Sequence, residues 1–127
     1  MSLFSEKNIG SEMNFSIWNE FMESFDHFPI AAIINNKYFV VHGGISPHLL
    51  KLKDLQKINR HKEPEDGSIF QDILWSDPEE NINGFLVSPR GAGVIFGKKV
   101  FQKFLERNKF EAVIRSHQLC KEGYLVK

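Results

Sequence analysis

Apolar residues recur at three- and four-residue steps through "NFSIWNEFMESFDHF", Asn14 to Phe28. Phe15, Trp18, Phe21, Met22, Phe25 and Phe28 would share one face of an amphipathic helix, read as core-facing by ordinary burial preference. Pro29 helps end that helix, because the residue before a proline avoids helical angles. The period then shortens. "IAAII" (Ile30 to Ile34) reads as a strand, "NNK" as a turn and "YFVV" (Tyr38 to Val41) as a second strand, together a hairpin.

Past the two glycines Gly43 and Gly44, Ser46 as N-cap and Pro47 at the first helical position predict a helix carrying Leu49, Leu52, Leu55 and Ile58. His61 to Gly67 is a polar loop. "SIFQDILWSDP" predicts a short strand ending near Trp75 and stopped by Pro78, and "EENINGFLVSPRGAG" an irregular loop. Lys98 to Asn108 predicts a helix with Val100, Phe101, Phe104 and Leu105 inward, and "FEAVIRSHQ" a strand. Gly123 marks a turn with the start of a further strand behind it. There is no internal repeat, and the alternation of helices and strands points to an α/β class.

Composition narrows this picture by exclusion. The 127 residues suit one domain or part of a larger one, and 42% hydrophobic content with 12 Phe suffices for a core. Sixteen basic and sixteen acidic residues cancel, leaving no electrostatic case for nucleic acid or an anionic membrane. No run approaches the roughly 18 apolar residues of a membrane span. The first residues lack the basic and apolar regions of a signal peptide. Cys120 is the only cysteine, so no internal disulfide can form, and a reducing cytoplasmic or nuclear setting fits.

Two strands end alike: "YFVVHGG" on His42 and "EAVIRSHQ" on His117. Imidazole is the commonest metal ligand, and a strand tip fixes its direction. Ordinary packing or exposure is the alternative for each ring. The glycines after His42 would let the backbone turn with positive φ and let another group approach closely. Arg90 in "SPRGAG" has small neighbours that leave room for a phosphate-sized ligand, which guanidinium matches bidentately; a surface ion pair is the alternative. Asp77 in "LWSDP" is either a turn-forming residue before Pro78 or an acidic site residue.

"PIAAIINNKYFVVHGGISPHL", "DILWSDP", "SPRGAGVIFG" and "IRSHQLCKEGY" occur in this order over most of Trp18 to Tyr124. Together they resemble the metal-dependent serine/threonine phosphatases of the phosphoprotein phosphatase family, within the calcineurin-like metallophosphoesterases. The resemblance implies a mixed β-sandwich flanked by helices. It implies two divalent metal ions (manganese, iron or zinc) that activate water for in-line attack on phosphorus. His42 and His117 would be ligands of one metal, and Arg90 would bind the substrate phosphate and offset its charge. Asp77 and Trp75 would line and support the site, and Arg115, Gly43 and Gly44 would support the histidines. Tyr124 would be structural. A phosphoprotein would be the substrate, with regulatory subunits or domains as further partners.

The family's three upstream motifs, Gly-Asp-x-His-Gly, Gly-Asp-x-Val-Asp-Arg-Gly and Gly-Asn-His-Glu, have no match, since no Gly-Asp or Asn-His pair occurs. The expectation is therefore that residues 1–127 are the C-terminal portion of one catalytic domain, truncated at both ends. Such a portion would be inactive alone, weak in metal binding and prone to self-association. A non-catalytic phosphatase-like binding module is the alternative, and an unrelated small α/β domain a third reading. "IRSHQ" and "SPRGAG" depart from the commonest family wording, so subfamily, regulatory partners and toxin sensitivity do not carry over.

Overall fold

The structure is a computed structural model and describes residues 11–127. The fold contains two three-stranded sheets. In the first, β1 (Ala31–Ile34) pairs antiparallel with β2 (Tyr38–Val41), and β2 pairs parallel with β6 (Ala112–Arg115). In the second, β5 (Val94–Gly97) is central, parallel to β3 (Asp77–Glu79) and antiparallel to β4 (Phe85–Val87). The helices are α1 (Ser11–Asp26), α2 (Ile69–Trp75) and α3 (Lys98–Asn108), with a 3-10 helix at Leu52–Lys57. Both sheets are mixed, as the α/β reading with a mixed β-sandwich requires.

The hairpin turns on Asn35 and Asn36, both left-handed (φ 52 and 56), a conformation Asn tolerates and hairpin turns favour. Along β2 the side chains alternate, so Phe39 and Val41 enter the core together. Phe39 is fully buried, with its ring centroid 5.5 Å from Phe104 of α3 and 5.7 Å from Phe110. Ile45, Leu49, Ile73 of α2 and Phe96 of β5 complete this cluster, which therefore joins both sheets to α2 and α3.

The hairpin, α3 and β6 stand where the pattern predicts them. Several expectations need correction. The apolar stripe of the first helix is helical but not core: Phe15, Trp18, Phe21, Met22, Phe25 and Phe28 are all exposed. Periodicity reports a one-sided helix and says nothing of what covers that side. Among the described residues, α1 sends no side chain into the core; Arg60 holds its C-terminal end by donating to the carbonyls of His27 and Phe28.

The helix expected from Ser46 is absent. Its hydroxyl donates instead to the buried Asp72 carboxylate at 2.6 Å and accepts from His48 N, a local turn that competes with helix. Regular structure resumes only in the short 3-10 segment at Leu52. The strand expected up to Trp75 is the helix α2, because Ser68 caps Gln71 N (3.1 Å) and Gln71 Oε1 accepts from Gly67 N (3.0 Å), a variant of the capping box. Pro78 does not stop a strand but lies within β3, opposite Phe96. The expected loop contains β4, and no strand follows Gly123, which does turn with φ 89.

Asp72 carries a pH signature. Burial holds its carboxyl above the ordinary 3.8, with the Ser46 hydrogen bond and His48 opposing. The folded protein thus keeps a proton that the unfolded chain releases, and stability falls as pH rises from near that ordinary value through the raised one. Asp72→Asn removes the titration. Urea midpoints of the variant should therefore rise relative to the parent as pH increases above about 4; parallel profiles would contradict this account.

Candidate functional site

The parallel β2–β6 pair sets the geometry. Val41 lies opposite Arg115, so both strands end at the same edge and deliver His42 and His117 side by side. Ser116 N continues the ladder by donating to the His42 carbonyl at 3.2 Å. His42 Nε2 and His117 Nδ1 face each other at 3.0 Å, with the rings at 73°. Trp75, the last residue of α2, presents its ring edge-on to His117 at 5.6 Å. His117 itself is left-handed, with φ 66. A histidine held there costs on the order of 1 kcal/mol, and such outliers collect where side-chain direction matters.

Next to the histidines lies a network of charges. Asp77 opens β3 and is nearly buried. Its Oδ2 accepts from Arg90 Nε at 2.6 Å, and its Oδ1 from Arg115 Nη2 at 2.7 Å. Arg115 also donates to the carbonyls of Gly43 and Ser76 and to Gln118 Oε1. Arg90 Nη2 reaches the His117 carbonyl at 3.4 Å. Burial pulls the Arg115 guanidinium below its ordinary value while Asp77 opposes it; an arginine remains charged throughout. Burial also lowers His117, against Asp77, with Arg90, His42 and Arg115 acting in the same direction as burial.

The glycines after His42 do not take positive φ, contrary to one expectation, but they do permit close approach. A Cβ on Gly43 would stand 2.5 Å from the Leu74 carbonyl carbon, and one on Gly44 would overlap the Phe96 ring. Gly43 N donates to the Ile73 carbonyl at 2.8 Å, so the strand tip lies directly on α2.

All eight residues singled out from the sequence, His42, Gly43, Gly44, Trp75, Asp77, Arg90, Arg115 and His117, thus meet at one edge. Two further residues belong with them. Ser76 is fully buried and its Oγ accepts from Val94 N at 3.0 Å, which ties the Arg90 loop to β3. Ser116 contacts both histidines. Its place in "IRSHQ" is the one sequence signal that could have drawn attention to it.

The donor set suits a divalent metal in part. Imidazole nitrogens are common ligands of divalent metals, and His42 Nε2 and His117 Nδ1 converge at 3.0 Å, which is also ordinary hydrogen-bond spacing. His117 Nε2 is buried with no partner. No third histidine, cysteine or carboxylate joins the pair into a larger metal-binding group among the described residues. The residues present therefore fit two positions of a metal site.

A calcineurin-like phosphoesterase family model matches residues 4–121, and the chain belongs to that family. It is 46% identical over 112 residues to the serine/threonine-protein phosphatase 4 catalytic subunit of Kluyveromyces lactis, covering 87% of this chain and 36% of that one. To the serine/threonine-protein phosphatase 4 catalytic subunit of Saccharomyces cerevisiae it is 45% identical over 112 residues, again covering 87% of this chain and 36% of that one. A solved serine/threonine phosphatase from Saccharomyces cerevisiae, described as similar to human phosphatase PP5, superposes with a TM-score of 0.77 at 36% identity. That match covers 91% of this chain and 38% of the solved one. The chain spans roughly a third of the length of the curated relatives it matches, 36% in these two.

If Asp77 is the clamp between sheets and loop, Asp77→Ala leaves two arginines with an unpaired, partly buried neighbourhood and should cost about 3 kcal/mol in urea unfolding. Lys37→Ala, which removes the exposed Lys37–Glu111 pair, should leave the urea midpoint nearly unchanged. Equal effects would refute the clamp.

Proposed function

We propose that the chain is a portion of the catalytic domain of a metal-dependent serine/threonine protein phosphatase, the C-terminal part by its motif order. The observation that carries this reading is the convergence of His42 Nε2 and His117 Nδ1 at 3.0 Å beside an Asp77-held Arg90. The relatives' names and the family match support it.

In this proposal His42 and His117 hold one divalent metal through the two facing nitrogens. Divalent metals bound there would supply an activated water and polarisation of the phosphoryl oxygens; nitrogen and oxygen donors suit manganese, iron or zinc. Arg90 binds the phosphoryl group. Asp77, by engaging Nε, sets the plane of the guanidinium so that its remaining N–H groups can reach the substrate. Arg115 holds Asp77 and the Gly43 carbonyl, fixing both histidine tips against the second sheet. Trp75 shields one face of His117. The substrate is a phosphoserine or phosphothreonine protein, and regulatory subunits are further partners. A cytoplasmic or nuclear setting belongs to the same proposal; no described helix is long and apolar enough to cross a membrane. The exposed stripe of α1 favours self-association of this chain, which sedimentation velocity would register as a concentration-dependent dimer.

A segment exchange tests the proposal. With the matched segment of the Kluyveromyces lactis phosphatase replaced by this chain, the hybrid should hydrolyse a phosphoserine peptide. His42→Asn, His117→Asn and Arg90→Ala should each lower its rate by about 100-fold or more. The isolated chain with manganese should not cleave an aryl phosphate. A folded, inactive hybrid, or an active one indifferent to these substitutions, would defeat the assignment.

A further inference from the structure

The end of α1 carries a second pair of histidines. His27 follows the last residue of the helix and meets His61, with ring centroids 4.9 Å apart and planes at 77°. The spacing equals that of His42 and His117, also 4.9 Å, and the inclination is close to their 73°. Backbone contacts hold both partners. Arg60 donates to the carbonyls of His27 and Phe28, and His61 N donates to Asn59 Oδ1 at 3.0 Å. The turn that carries His61 is thereby fastened to the helix end that carries His27.

One nitrogen of His27 is committed to the backbone. Nδ1 lies 2.8 Å from the Glu23 carbonyl oxygen. A carbonyl only accepts, so Nδ1 is the donor and Nε2 is the nitrogen left for another partner. A backbone carbonyl at Nδ1 is a common way of orienting a metal-ligating histidine. The surroundings admit a cation as well. A helix ends on the negative pole of its dipole. A hollow of about 380 Å³ lies along His27, lined by Glu20, Glu23, Ser24 and Phe28. Both histidines are exposed, so an ion can enter and water can complete its coordination. The cations flanking His61 are engaged elsewhere, Arg60 with the two carbonyls and Lys62 with Glu65 at 2.5 Å.

We propose that His27 and His61 form a second metal site, which binds a zinc-like transition-metal ion through two imidazoles and ties the end of α1 to residues 58–62. Imidazole suits zinc, copper or nickel, whereas magnesium and calcium take oxygen ligands. The effect of binding is structural. Among the described residues α1 sends no side chain into the core, so its end is held by the Arg60 bonds and the contact between the two rings. A bound ion replaces that ring contact with two coordinate bonds. The site shares no residue with the His42–His117 pair and stands or falls apart from the phosphatase reading.

The test follows the ring signals of all five histidines in the whole chain, labelled with 15N at histidine, during titration with Zn2+. His27→Gln and His61→Gln assign the pair. In the parent, the His27 and His61 signals should move together on one binding curve. They should move at lower Zn2+ than those of His48, which is exposed and outside both pairs. His61→Gln should raise the Zn2+ needed to shift His27 by about tenfold or more, because a tethered second ligand is lost. His27→Gln gives the reciprocal reading at His61, so either variant alone decides. Mg2+ should leave both rings unmoved. Amide exchange in residues 20–26 should slow with Zn2+ in the parent and stay unchanged in His61→Gln. The site is overturned if His27 and His61 respond only together with His48, if His27 is indifferent to His61→Gln, or if Mg2+ acts equally. Silence of His42 and His117 in the same titration would count against the phosphatase reading and leave this site untouched.

Discussion

One carboxylate holds the candidate site together. Asp77 faces Arg115 at the end of β6 and Arg90 in the loop before β5, so a single side chain connects the first sheet, the second sheet and the loop between β4 and β5. The arrangement is costly to desolvate and strongly directional, which favours specificity of geometry over stability. Each arginine has further contacts in the same place. Arg115 directs its other nitrogens to backbone carbonyls at Gly43 and Ser76, and Arg90 reaches the carbonyl of His117. The histidine tips are therefore oriented by backbone contacts that depend on the carboxylate, even though Asp77 contacts neither ring.

Close packing supplies the second constraint. The tip of β2 presses its glycines onto the backbone of α2 and the ring of Phe96, and the left-handed Gly93 presses onto Trp75. These contacts leave no slack between the sheets, so the direction of His42 is inherited from the core behind it. Phe39, stacked at 16° on Phe110 and tilted on Phe104, is the hydrophobic counterpart of the polar clamp.

How far the sequence foretells this differs between fold and site. The hairpin, α3 and β6 are legible because each carries a local signal: left-handed Asn in the turn, a helical stripe, a β-branched run. The region from Ser46 to Val87 is not. Ser46 and Pro47 read as a helix start, yet a buried Asp72 twenty-six positions away claims the hydroxyl, a partner that no window of sequence displays. "SIFQDILW" reads as a strand by its apolar run although Ser68 and Gln71 spell a helix cap. Burial of the first helix does not follow from its pattern, which contains only half of that question. The strand-end pattern alone leaves His42 and His117 open between ligand and ordinary packing, and it is the ordered family motifs that single out the eight residues the structure brings to one edge. Ser116 is the exception, because a serine beside a histidine has no distinctive signature until the ring across the pair is in view.

The parallel pairing of β2 with β6 has a consequence in time as well as in space. Phe39 meets Val113 and His42 meets His117 across a separation of 74 and 75 positions. Parallel strands so far apart close a long loop, and contacts of this kind form slowly because the entropy of closure precedes any reward. The hairpin can form early, within its own few residues. The paired imidazoles cannot exist until β6 has been synthesised and has found β2. Each histidine waits through that interval exposed on a strand end, and the candidate site is a late product of folding rather than a nucleus for it.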